Sequence, residues 1–95
     1  MDSIVLHVTY HCLPGQAEPF VRALKEDGLQ AAVRREDGCL QYDYHLSCEE
    51  RDAVVLLERW RDAQALAVHG ATDTMARIKT VKERFVERTD VLRFE

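Results

Sequence analysis

Tyr44, His45, Glu58, Trp60 and His69 are the side chains of this sequence that could share in chemistry if a fold gathers them. An imidazole titrates near neutral pH and can take a proton from an acidic O–H or C–H. Tyrosine and tryptophan offer flat apolar faces and a hydrogen-bonding edge, which suits an aromatic ligand that carries oxygen. Glu58, two residues before Trp60, can hold a ligand group. Leu56 and Leu66 would supply apolar wall beside it. Each assignment has a plainer alternative. A tryptophan at a strand end is often core or interface, and a strand glutamate can brace a helix or pair with an arginine. A histidine ending a helix suits the dipole there. Tyr42 and Tyr44 share one strand face, so at least one of them is packing.

No metal is expected. His7 and His11 share a strand face, but neither they nor His45 has a third ligand at a diagnostic spacing. The three cysteines, Cys12, Cys39 and Cys48, lack the close pairing of a zinc or redox motif and read as free thiols in a reducing cytoplasm. Nothing near them in sequence marks a nucleophile of lowered pKa.

Alternation of apolar and polar residues predicts a first strand over Ile4–Cys12, with Ile4, Leu6, Val8 and Tyr10 on one face. Leu13-Pro14-Gly15 ends it. A helical stripe of Phe20, Val21 and Leu24 follows, with Pro19 tolerable only in the first turn. Gly28 should break this helix before Leu29–Glu36 resumes it, and Asp37-Gly38 reads as the stop. Strands are expected over Cys39–Ser47 and Ala53–Arg61, the second apolar on both sides at Val54–Leu57. Asp62 can cap a short helix ending at His69-Gly70, and Thr72 or Asp73 can cap the next, whose face runs through Met75, Ile78, Val81, Lys82 and Phe85. Val86–Glu95 returns to strand. The order βα(α)ββα(α)β predicts an α+β, ferredoxin-like fold with a four-stranded antiparallel sheet. Helices on one face leave apolar side chains on the other in need of cover, which predicts a homodimer.

Ninety-five residues make one domain, residues 1–95, with a thin core. At 46% hydrophobic and 32% charged the composition is that of an ordinary soluble protein. A net charge of −4, with basic residues scattered among acids, argues against nucleic acid as a partner. No run approaches a membrane span, and Met1-Asp2-Ser3 lacks the basic start of a secretory signal, so a cytoplasmic protein is expected.

Four pieces occur in order along the chain. They are Pro14-Gly15-Gln16 after the first strand, Glu36-x-Gly38-Cys39-x-x-Tyr42 into the second, Glu58-x-Trp60, and Ala65-Leu66-x-x-His69. Together they resemble the antibiotic biosynthesis monooxygenase (ABM) domain family, with the small bacterial quinol monooxygenase-like members nearest. The resemblance implies a dimeric α+β barrel with a cavity between sheet and helices. It also implies activities that include oxidation of quinols and anthrones by dioxygen without metal or flavin, heme degradation, and isomerisation of a small sugar-derived signal. Heme-degrading members use a strand-one asparagine and an iron-ligating histidine on the last helix. This chain has no asparagine and no histidine after His69, which disfavours that activity. Many quinol-oxidising and isomerase members carry His-x-x-Thr-x-His, whereas here Thr74 stands in the second histidine's place.

The expectation is therefore a cofactor-independent monooxygenase acting on a small quinol- or anthrone-like aromatic molecule. In it His69 accepts the proton, Trp60 and Tyr44 form the aromatic wall and bond the substrate oxygen, and His45, Glu58, Leu56 and Leu66 contact substrate. The alternatives are a non-catalytic or degenerate domain that binds a small molecule, and an isomerase of a small oxygenated metabolite.

Overall fold

The computed structural model describes residues 3–95. Its elements are β1 (Ile4–Cys12), α1 (Ala17–Glu26), α2 (Leu29–Arg34), β2 (Cys39–Leu46), β3 (Ala53–Trp60), α3 (Ala63–Gly70), α4 (Asp73–Phe85) and β4 (Val86–Phe94). The strands form one antiparallel sheet in the order β2-β3-β1-β4, so the two central strands are β3 and β1. This is the ferredoxin-like α+β layout that the order of periodic segments implies. Among the described residues no helix is long and apolar enough to cross a membrane.

Strand alternation divides the sheet into two unlike faces. On the helix side, Val8, Tyr10, Tyr42, Leu56 and Trp60 pack with Phe20 and Leu24 of α1, Leu29 and Val33 of α2, and Ile78 and Val81 of α4. Each large apolar side chain removed from water in this layer contributes about 1.5–3 kcal/mol. On the other side, His7 pairs with Leu57 and Leu92, and Val5 pairs with Arg59 and Phe94. Leu92 and Phe94 remain 57% and 55% exposed, so one chain leaves an apolar stripe uncovered.

Local signals decide where the helices stop. Gly28 has φ of 71° and separates α1 from α2, as its position in the sequence suggests. The expected stop at Asp37-Gly38 falls elsewhere. Helix α2 is capped at Arg35, and Gly38, with φ of 87°, instead turns the chain into β2. Asp62 caps α3 by accepting from the Ala65 amide at 2.8 Å, and Thr72 caps α4 by accepting from Met75 at 3.0 Å.

Candidate active site

Glu58 and Trp60 lie two residues apart on β3 and so project from the same face, toward the helices. The indole Nε1–H donates to Glu58 Oε1 at 3.0 Å. Helix α3 then lays His69 over the tryptophan, with ring centroids 4.6 Å apart and planes inclined by 28°. Two local features bring α3 this close. One is its Asp62 cap, and the other is Gly38, whose missing side chain leaves room for the Ala65 methyl group.

Glu36, in the connection between α2 and β2, completes the arrangement. Its Oε1 and Oε2 stand 3.0 and 3.2 Å from His69 Nδ1, and the two side chains are only 17% and 5% exposed. A carboxylate accepts from Nδ1–H, which makes Nε2 the basic nitrogen of the neutral ring. Any proton His69 accepts leaves an imidazolium held between the Glu36 carboxylate and the indole face.

His69 and Glu58 form one wall of a cleft of about 250 Å³ between the sheet and the α3–α4 pair. Leu6, Val8, Leu66, Met75 and Val91 make most of the remaining surface apolar, and Tyr10, Lys82 and Thr89 line it as well. Burial raises the Glu58 carboxyl above its ordinary value, against the opposing pull of the Trp60 hydrogen bond and of His69. The cleft thus presents a base and an acid that holds its proton to higher pH than a free glutamate. A wider groove of about 520 Å³ lies between the start of α1 and the β2–β3 hairpin. No imidazole or buried carboxyl lines it.

The residues expected to act together are only partly brought together. His69, Glu58 and Leu66 share the cleft. Trp60 is fully buried and lies behind His69 as its support, without lining the cleft. Leu56 is likewise completely buried, so it underlies the site and has no surface to offer a ligand. Tyr44 stays outside the cleft lining; its ring meets Tyr42 edge-on at 5.7 Å. Its hydroxyl is buried without a hydrogen-bond partner, the single such side-chain atom among the described residues. Burial, with the charge of Glu58 adding, pushes its phenol up to about 12. His45 is exposed on the opposite sheet face, because it follows Tyr44 on a strand whose side chains alternate. It cannot reach this cleft from its own chain. Glu36, Tyr10, Lys82 and Thr89 were not anticipated as site residues. Glu36 had a signal in its place before the Asp37-Gly38 turn, and Lys82 had one in its place on the inward stripe of α4. Among the described residues no group of three histidine, cysteine, aspartate or glutamate side chains is placed to hold a metal ion.

The family model for antibiotic biosynthesis monooxygenase matches residues 3–81 of the chain. The chain belongs to the antibiotic biosynthesis monooxygenase family. Solved structures share the fold of this ABM domain. A protein from Pseudomonas aeruginosa is 31% identical with a TM-score of 0.85, the match covering 99% of this chain and 93% of that one. A protein from Shewanella oneidensis is 28% identical with a TM-score of 0.86, covering 97% and 88%. One from Bacteroides thetaiotaomicron, described as a conserved protein of unknown function and possible oxidoreductase, is 29% identical with a TM-score of 0.84, covering 98% and 96%. No match is found among curated proteins. In this ABM domain Thr74 sits in the first turn of α4 and is not part of the cleft lining.

Proposed function

We propose that this ABM domain, as one unit over residues 1–95, is a cofactor-independent monooxygenase of the cytoplasm that oxidises a small quinol-type aromatic with dioxygen. The observation that carries the reading is the Glu36–His69 pair, which leaves Nε2 as the basic nitrogen of an imidazole that lines an apolar cleft together with the buried Glu58. An electron-rich phenolate can itself pass an electron to dioxygen, so the protein need only remove a proton, hold the anion and keep water out. His69 takes the phenolic proton. The reduced oxygen then adds to the ring, and loss of water leaves the hydroxylated quinone. One dioxygen and one quinol thus give one hydroxyquinone and one water. Glu58, protonated to higher pH by its burial, is placed to return a proton to the departing oxygen.

Cleft size narrows the substrate. Small-molecule pockets usually run to roughly 300–1,000 Å³, and about 250 Å³ here favours one or two fused rings over a three-ring anthrone. The working form in this proposal is a homodimer, whose partner covers the stripe of Val5, Leu57, Leu92 and Phe94 on the helix-free face. An acid and a base facing one cleft also suit a proton-shift isomerase, which would use His69 and Glu58 without dioxygen.

The test is dioxygen uptake by metal-stripped protein with reduced benzo- and naphthoquinones, compared with His69→Ala. Uptake above autoxidation that falls by roughly 100- to 10,000-fold in the variant is expected. Uptake equal to that of the variant across the panel would refute the oxygenase, and solvent-proton exchange into the same compounds would then favour the isomerase.

A further inference from the structure

Among the described residues lining the cleft, Lys82 is the single lysine or arginine, and it lies over Tyr10. Leu6 of β1 pairs with Glu58, while Tyr10, four residues on, pairs with Thr89. Four strand residues span about 13 Å. Lys82 reaches in from α4 at the Tyr10 end, with Nζ 5.8 Å from the centre of the Tyr10 ring. It is half-buried, and among the described residues no carboxylate forms an ion pair with it. Of the acids that line or back the cleft, Glu36 contacts His69, and Glu58 stands on β3 opposite Leu6, four residues along β1 from Tyr10.

A lysine stem commonly lies along apolar surface while its ammonium reaches water. Here Lys82 and Thr89 both line the apolar cleft, and both belong to its Tyr10 end, Lys82 by its position over the Tyr10 ring and Thr89 by pairing with Tyr10. That pairing offers two donors, which matches the two oxygens of one carboxylate. A phosphate dianion would bring more charge and more acceptors than one lysine and one hydroxyl satisfy, in a cleft whose other end is acidic.

We infer that the ligand of this cleft is an aromatic acid, its carboxylate held by Lys82 and Thr89 and its reacting hydroxyl directed to His69. The inference rests on the oxygenase reading for the identity of the reacting group, but the acid subsite itself does not depend on dioxygen chemistry. The cleft's polarity then also sets orientation, because an acid entering backwards would leave its charge away from the Lys82 ammonium.

The experiment is anaerobic titration calorimetry of 1,4-dihydroxy-2-naphthoate and 1,4-dihydroxynaphthalene against the full chain, Lys82→Met and Lys82→Arg, with each variant's fold checked by circular dichroism. The acid should bind the unaltered protein about tenfold tighter or more than the neutral diol, as one charge-assisted contact allows. Lys82→Met should bring that ratio to about one, and Lys82→Arg should restore most of it. A ratio near one in the unaltered protein, or one that survives in Lys82→Met, overturns the subsite. Parallel dioxygen electrodes keep the two ideas apart. Lys82-dependent binding of the acid with no uptake supports the subsite and refutes only the oxygenase. Uptake with equal affinity for acid and diol supports the oxygenase and refutes the subsite.

Discussion

Replacing Gly38 with alanine should loosen the whole site from a residue that touches no ligand. A Cβ built at this position would lie 2.5 Å from the Ala65 Cβ of α3, whereas carbon atoms rest at about 3.5–4.0 Å. The start of β2 and α3 must therefore separate by about 1 Å or more. The backbone adds a second cost, since φ of +87° is unfavourable for a residue with a side chain by about 1–2 kcal/mol. Overpacking of this kind typically costs about 1–3 kcal/mol, so the total is about 2–5 kcal/mol, a large part of a small domain's stability. Urea unfolding followed by circular dichroism, at one fixed protein concentration, measures it. The double variant Gly38→Ala/Ala65→Gly separates the two causes. It keeps the backbone strain and pays about 1 kcal/mol for a helix glycine, but it removes the methyl–methyl clash, so a favourable coupling of about 1–3 kcal/mol is expected. A 1 Å retreat of α3 would also stretch the Glu36–His69 contact from 3.0 Å beyond hydrogen-bond reach, and the cleft's chemistry should weaken with it. A Gly38→Ala cost below about 1 kcal/mol, or no coupling with Ala65→Gly, would refute the reasoning.

Changes at Glu58 and His11 probe a buried and a half-buried ionisable group. Glu58→Leu leaves the buried Trp60 N–H without an acceptor and should cost about 1–3 kcal/mol, whereas Glu58→Gln keeps an acceptor oxygen. Because burial raises the Glu58 carboxyl, the wild type should lose stability relative to Glu58→Gln as pH rises from the ordinary glutamate value through the raised one. A thermal melting series from pH 4 to 8 that shows a pH-independent difference would contradict this. On the helix-free face, His11 Nδ1 contacts Glu50 and its Nε2 contacts Asp90, both at 2.8 Å, with Arg88 alongside. The hydrogen bonds to Asp90 and then to Glu50 raise its pKa, against opposition from desolvation and Arg88. Its stabilisation is therefore fully present below the ordinary histidine value and is lost as pH rises through the raised one. His11→Gln should melt lower than wild type in mild acid, and the gap should close in alkali. A gap that widens with pH would be the wrong sign.

What could be read from residue order was whatever repeats locally. The period-two run of Ile4–Cys12 sits at β1 because one of its faces is covered by helices, and Asp62 caps α3 through a contact three residues away. The site depends on contacts that no local period encodes. Glu36 and His69 are separated by 33 positions, and only the packing of α3 against the α2–β2 turn brings them together. His45 directly follows Tyr44, and strand parity sends adjacent residues to opposite faces. Strand parity puts Leu56 and Trp60 on one face of β3, but their depth depends on how closely the helices approach. Lys82 read as the edge of a packing stripe. Its significance comes from β4, which closes the far end of the cleft with Thr89. Gly38 was read as a helix cap, yet α2 ends at Arg34, and the left-handed residue serves the turn that follows.

The stack of Trp60 on His69 has a consequence outside chemistry at the cleft. Trp60 is the chain's sole tryptophan, it is fully buried, and its indole lies 4.6 Å from the imidazole. The chain therefore carries a single fluorophore in direct contact with the imidazole of the candidate site, which can be followed without a label and without turnover.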